Sequence, residues 1–310
     1  MKPPDGHRDP IARGTLHTLN YFGLFRYPLM PAEIHRFHPV PCSLANIESS
    51  LEMLSRAGQA TCSQDGFWSA DKHDDWSIGR IAANKRALAL LARSPMFTAI
   101  IRSFPFIEGI AISGSLSKYH AGTDADIDYF IITRANRLWI ARSLLHLFKK
   151  LTFAFGYQHF FCMNYFVDIE ALSMTDQNIY TAIELVTLIP VYNEGLIKQM
   201  KKENTWLSAH LPNDPANHDL AYLVPQEREW MKKILEVLIN LIWPEKANIF
   251  LMKLTDRKWR KKWARKGFPM EDYHRAFHTS IHVSKNHPAD FQKQVLYALE
   301  TLTGPGSNVS

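Results

Sequence analysis

The chain has 310 residues, 46% of them hydrophobic, and a formal charge of +6; that suffices for two or three packed domains and favours polyanionic partners such as nucleotides, nucleic acid or an anionic surface, without choosing among them. Apolar runs such as 234–243 stop short of the ~20 residues of a spanning helix and the N-terminus lacks an apolar signal region, so neither membrane insertion nor export is expected. Cys42, Cys62 and Cys162 lie far apart, with no C-x-x-C pair and no even count, which fits a reducing cytoplasm.

In chain order, residues 1–10 are polar and proline-rich and predict a loose start. Residues 15–25 predict an apolar-aromatic helix, Pro31 opens a second one, and residues 43–56 predict a third, capped by Ser43 and stopped by Gly58. Short extended flanks around Asp65-Gly66 predict a hairpin, so residues 11–75 read as a winged-helix-like domain. Its third helix carries Glu48 and Glu52, with no Lys or Arg between Ser43 and Leu54. A phosphate backbone rewards cations, so this module is expected to pack or to dock, not to read DNA sequence.

Residues 76–93 predict a helix broken at Ser94-Pro95, and 96–103 a shorter one. The stretch 107–132 then brings glycine, serine and paired carboxylates together between two apolar runs. Ile107 to Ile112 predicts a buried strand, and Ser113-Gly114-Ser115 a tight turn opening a helix, whose unpaired N–H groups and positive dipole end suit a phosphate. After a spacer of ten residues, Asp126-Ile127-Asp128 leads into Tyr129-Phe130-Ile131-Ile132, a strand pattern. Alternation sets Asp126 and Asp128 on one face and Ile127 on the other, offering two carboxylates to one divalent cation. Magnesium suits such a pair, because it completes its shell with waters and substrate phosphates.

Ile112-Ser113-Gly114-Ser115 followed by Asp126-Ile127-Asp128-Tyr129 resembles the signature of the nucleotidyltransferase superfamily of the DNA polymerase beta type. The phrase 19–29 (LNYFGLFRYPL), Trp139 with Arg142, and the stretches 182–185, 190–193 and 204–207 are similar to a bacterial branch with an N-terminal winged-helix-like module, over roughly residues 15–215. The resemblance implies an α+β fold: a polymerase-beta-like core of a small mixed sheet with helices at 76–175, flanked by the N-terminal module and by a helical domain at 176–303. It implies Asp126 and Asp128 as catalytic metal ligands for magnesium, with manganese as the alternative, and Gly114, Ser115 and Lys118 as nucleotide-binding residues. Asp168, preferred over Glu170, is the expected third carboxylate on the next strand. Asp124 reads as a supporting or solvated acid.

The activity so implied is transfer of a nucleoside monophosphate from ATP or another NTP to an acceptor hydroxyl, with release of pyrophosphate. The acceptor is open between a small molecule, a protein and a tRNA. A non-nucleic-acid acceptor is preferred because basic residues near the signature are few, namely Lys118, Arg134, Arg137 and Arg142. The alternative is a catalytically silent nucleotide-binding or interaction module.

Past Thr133, residues 137–155 predict a long helix stopped by Gly156, and 160–167 a strand. From Gln177 onward the apolar spacing is helical throughout, at 180–191, 194–202, 226–243, 249–266, 271–284 and 290–302. His274, His278 and His282 would share one face of the 271–284 helix, as a solvated stripe in preference to a metal chelate. Between Lys253 and Lys266, eight Lys or Arg and one Asp are interleaved with Trp259 and Trp263. That pattern reads as a solvated helix, with RNA, a membrane surface or an acidic substrate as alternatives.

Overall fold

The computed structural model describes residues 9–303 apart from 72, 74, 153–155, 157, 217–219, 226–228 and 243–244. Asp9 accepts the Ile11 N–H at 2.9 Å and Pro10 takes the first helical position, so α1 (Pro10–Gly23) begins before its apolar stripe. α2 (Pro31–Arg36) and α3 (Leu44–Arg56) follow, the latter capped reciprocally by Ser43 and Asn46. β1 (Thr61–Cys62) and β2 (Trp68–Ser69) pair antiparallel around a turn in which Gly66 has φ 81°.

α4 (Trp76–Arg102) runs through Pro95, where a break was expected. Proline removes the N–H that would bond Leu91, and the Ser94 hydroxyl donates to that carbonyl instead, at 2.8 Å. β3 (Ile107–Ile112), β4 (Asp128–Thr133), α5 (Leu138–Thr152), β5 (Cys162–Asp168) and α6 (Ile179–Val186) come next. The remainder is β6 (Ile189–Tyr192), α7 (Glu194–Glu203), α8 (Leu207–His210), α9 (Trp230–Ile242), α10 (Glu245–Arg265), α11 (Tyr273–Ala276), β7 (Val283–Lys285) and α12 (Phe291–Thr303).

Five of these strands form a small mixed sheet in the order β6-β3-β4-β5-β7. β4 and β5 are parallel, as their helical connection through α5 requires, and the other pairs are antiparallel. The region after residue 176 is therefore not all helical, since it supplies both edge strands. Ile189-Pro190-Val191-Tyr192 is buried at every position and has no alternation to betray it, while β7 has three residues and buries Ser284 and Lys285. The expected histidine stripe also dissolves. Phe277 leaves the helical region at φ −128°, so His274 sits on α11 whereas His278 and His282 lie beyond its end.

Alternation along the central strands sorts the core. Tyr129 and Ile131 face a cluster with Leu91 and Phe97 of α4 and Trp139 of α5. Phe130 and Ile132 face the opposite cluster, which joins Leu19 and Leu51 of the N-terminal helices to Ile183 of α6 and Val295 of α12. Both flanking regions thus share a core with the sheet, and Asp128, of the same parity as Phe130, is directed toward the N-terminal helices.

Candidate active site

Beyond β3, the Ser113 N–H donates to the Asp128 carbonyl at 2.9 Å and Gly114 turns the chain at φ 68°. A Cβ at Gly114 would lie 3.0 Å from Asp128 Oδ2, so glycine is what lets the carboxylate sit against the turn. The expected helix after this turn is a single 3-10 turn over Leu116–Lys118, ended by Tyr119 at φ 55°. Carbonyls that a longer helix would use are bonded elsewhere. The Tyr27 hydroxyl donates to Lys118 O, Asn84 Nδ2 to Tyr119 O at 2.8 Å, and Arg86 Nε to Ala121 O at 2.9 Å. The anion seat is consequently a tight backbone turn pinned by the N-terminal module and α4, without a long helix dipole behind it.

Asp128 is the first residue of β4, and Asp126 precedes the strand instead of lying in it. Asp126 Oδ1 is 2.7 Å from His159 Nδ1, on a solvent-accessible edge. Asp128 is more enclosed, with Asn164 Nδ2 at 3.4 Å from Oδ1. Burial pushes its carboxyl up to about 6; a hydrogen bond from the Cys162 thiol works against this, and the charges of Asp126 and Glu184 add to it. Among the described residues neither carboxylate is ion-paired with a Lys or Arg; the His159 ring stands against Asp126 and the Lys149 charge acts on Asp128 from a distance.

Lys118 Nζ donates to Gly114 O at 3.0 Å and to Glu184 Oε1 at 2.8 Å. Its ammonium is thus held beside the turn by a carboxylate from α6, not extended into solvent. Ser113, Gly114, Ser115, Lys118, Asp128 and Asn164 all line one cavity of about 650 Å³. Its other walls come from opposite ends of the chain, with Tyr21 and Phe22 of α1 and Phe25 just past its end on one side, and Lys285 at the end of β7 and His287 beyond it on another. His287 is held neutral, its pKa lowered to about 4 by burial and by the Lys285 charge, and among the described residues its Nε2 has no hydrogen-bond partner. Sequence reasoning did not select the α1 aromatics, Asn164, Glu184 or His287 as site residues. Glu184 lies in the 182–185 stretch that carried the resemblance, and the aromatic density of 21–27 was a second signal.

Asp168 does not join this site. It is the last residue of β5 and pairs with Thr133, the last of β4, whereas Asp128 pairs with Cys162 at the other end. Five strand residues separate the two positions by roughly 17 Å. Asp168 is fully buried (0% exposed) and accepts from the Asn136 N–H, the Glu170 N–H and His282 Nδ1, at 3.0, 3.0 and 2.8 Å. Metal-ligating atoms of Asp168, Glu170 and His282 lie within 4.8 Å of one another, the only such group of three among the described residues. Beside Asp128, β5 presents the amide of Asn164 instead of a carboxylate. Arg142 and Trp139 are likewise remote from the cavity: Arg142 is buried 4.7 Å from the Trp259 ring centroid, and Trp139 Nε1 donates to Ser280 O.

Comparison of the chain with protein-family models, with curated proteins and with solved structures finds no match. Among the described residues, no helix is long and apolar enough to cross a membrane.

Proposed function

We propose that the chain is a metal-dependent nucleotidyltransferase that moves a nucleoside monophosphate from an NTP to an acceptor hydroxyl. The observation that carries this reading is the apposition of Gly114 and Asp128 in the wall of a 650 Å³ cavity, with Asp126 two residues upstream. The donor set fits a hard cation. Both groups are carboxylates without a Lys or Arg partner among the described residues, and Asp128 is buried at the expense of its ionisation. Magnesium, or manganese in its place, would be held by Asp126 and Asp128 and would offset their charge and that of a triphosphate.

The chain's own groups supply the rest. Backbone N–H groups of the 113–115 turn and the Ser115 hydroxyl are donors for phosphate oxygens, and Lys118 brings a point charge to the same place. The aromatic side chains of α1 close one wall, which excludes water and leaves an apolar space for an acceptor. This gives the N-terminal module a pocket-building role and favours a small-molecule or side-chain acceptor over a nucleic acid.

A second reading, a nucleotide binder without turnover, is favoured by one observation: Asn164 stands where a third carboxylate would be needed beside Asp128. Metal-dependent pyrophosphate release separates the two. The protein is incubated with labelled ATP, CTP, GTP or UTP and cell extract, and labelled products are identified by mass spectrometry. Transfer of one NMP that is lost in Asp126→Asn and Asp128→Asn supports the transferase. Nucleotide binding with no product from any NTP leaves the silent binder, and near wild-type turnover in either variant sinks the site.

A further inference from the structure

α9 is amphipathic in the opposite sense to a normal surface helix. Its two buried side chains are charged, Lys232 and Glu236 at 6% and 4% exposed, and only Ile239 adds an apolar contact with the core. Lys232 Nζ donates to Ile107 O at 2.6 Å, Glu236 Oε1 accepts the Phe106 N–H at 2.8 Å, and Glu236 Oε2 meets Arg134 at 2.8 Å. These bonds satisfy backbone groups around the start of β3 and fix the rotation of the helix. Its outward stripe is apolar, with Trp230, Ile234, Leu238, Leu241 and Ile242 all solvent-facing, the last two 76% and 71% exposed. Leaving such a continuous stripe in water is costly, and a face of this kind marks an interaction surface.

What it meets is indicated by α10. The solvent-facing stripe of α10 starts apolar, at Phe250 and Leu254, and becomes cationic, at Lys253, Arg257, Lys258, Lys261, Lys262 and Arg265. Among the described side chains of α10 the one carboxylate is Asp256, and it is occupied by Arg260, Tyr273 and Thr279. Exposed apolar side chains on α9 and at the start of α10, with exposed cations along the rest of α10 and no exposed acid among its described side chains, offer the two kinds of contact that an anionic bilayer surface takes, with acyl chains and with lipid phosphates. A second copy of the chain could cover the apolar side chains of α9, but its own α10 would add more cations instead of the anions that the exposed Lys and Arg of α10 call for.

We infer that the α9–α10 surface docks on anionic lipid bilayers, lying along the interface and not crossing it. The inference is independent of the nucleotidyl-transfer reading.

Full-length protein is sedimented with vesicles of phosphatidylcholine alone or mixed with phosphatidylglycerol, at low and high salt. The wild type should pellet with the anionic vesicles, less at high salt. Leu238→Glu with Leu241→Glu should reduce that partitioning by about tenfold or more, and Lys261→Glu with Lys262→Glu should remove the preference for phosphatidylglycerol. These side chains are solvent-facing, so unchanged melting temperatures verify the fold. Absence of the wild type from both vesicle pellets overturns the inference. So does a wild-type dimer, indifferent to lipid, that the Leu238→Glu, Leu241→Glu variant converts to monomer, because a second copy then covers the face.

Discussion

The Cβ that Gly114 lacks would stand 3.0 Å from Asp128 Oδ2, so the turn after β3 and the carboxylate that opens β4 occupy one another's space. Neither can change alone. Gly114→Ala places an L-residue at φ 68°, at a cost of about 1 to 2 kcal/mol, and also pushes against Asp128. The expected result is a modest fall in melting temperature and a larger, separate loss of metal-dependent nucleotide affinity, measured by titration well below the melting point. A variant that keeps its nucleotide affinity would show that this apposition is not part of a nucleotide site.

Asp128 also makes stability depend on pH in an unusual direction. Its carboxyl is raised from the ordinary 3.8 to about 6, chiefly by burial, so the neutral form is favoured in the fold. That contribution is fully present below the unfolded value and is lost as pH rises through about 6. With metal chelated, Asp128→Asn should therefore stabilise the protein at pH 7.5, by on the order of 2 kcal/mol, and have little effect near pH 4. Melting curves of both proteins across that range in chelator give the comparison. Equal melting temperatures at pH 7.5 would mean that the carboxylate is solvated.

What could be read in advance was what is local. Ser113-Gly114-Ser115 and Asp128 belong to one strand-turn-strand unit, so their proximity follows from spacing, whereas Asp126 precedes β4 and is not placed by strand alternation. Asp168 was misjudged because β4 and β5 run parallel, which puts the first residue of β4 and the last of β5 at opposite ends of the sheet whatever the one-residue register irregularity between Tyr129 and Phe130. That irregularity helps to set Asn164, not an acid, beside Asp128. The cavity walls were harder still, since Tyr21 and His287 come from opposite ends of the chain and meet only through the shared core. β6 and β7 are so short that hydrophobic periodicity has no room to appear.

Asp168 is predicted to matter for folding instead of chemistry. Asp168→Ala leaves the N–H groups of Asn136 and Glu170 without their acceptor in a buried place and unties His282. Stability should fall by about 2 to 4 kcal/mol. Turnover per folded molecule, measured well below the melting temperature, should stay near wild type. A variant of normal stability with turnover lost would bring Asp168 back into the chemistry.

Lys118 and Glu184 give a prediction of opposite signs. The ammonium lies 2.8 Å from Glu184 Oε1 and both groups line the cavity, so a triphosphate must share Lys118 with a carboxylate of its own sign. In Lys118→Ala a cation is lost and Glu184 is left unopposed; nucleotide affinity should drop about tenfold, equivalent to ~1.4 kcal/mol. In Glu184→Gln the competing charge goes while a hydrogen-bond acceptor of the same shape remains, so Lys118 is free to turn toward phosphate. Affinity should then rise, by about threefold to tenfold, most clearly without added metal and at low salt, where charge is least screened. Combining the two substitutions tests the route. If Glu184→Gln acts through Lys118, its gain shrinks once Lys118 is alanine, and the effects are not additive. Calorimetric titration of the four proteins with one non-hydrolysable NTP measures the cycle. A gain of the same size with and without Lys118 would show that Glu184 repels phosphate directly and that Lys118 is a structural tie between the 113–118 turn and α6.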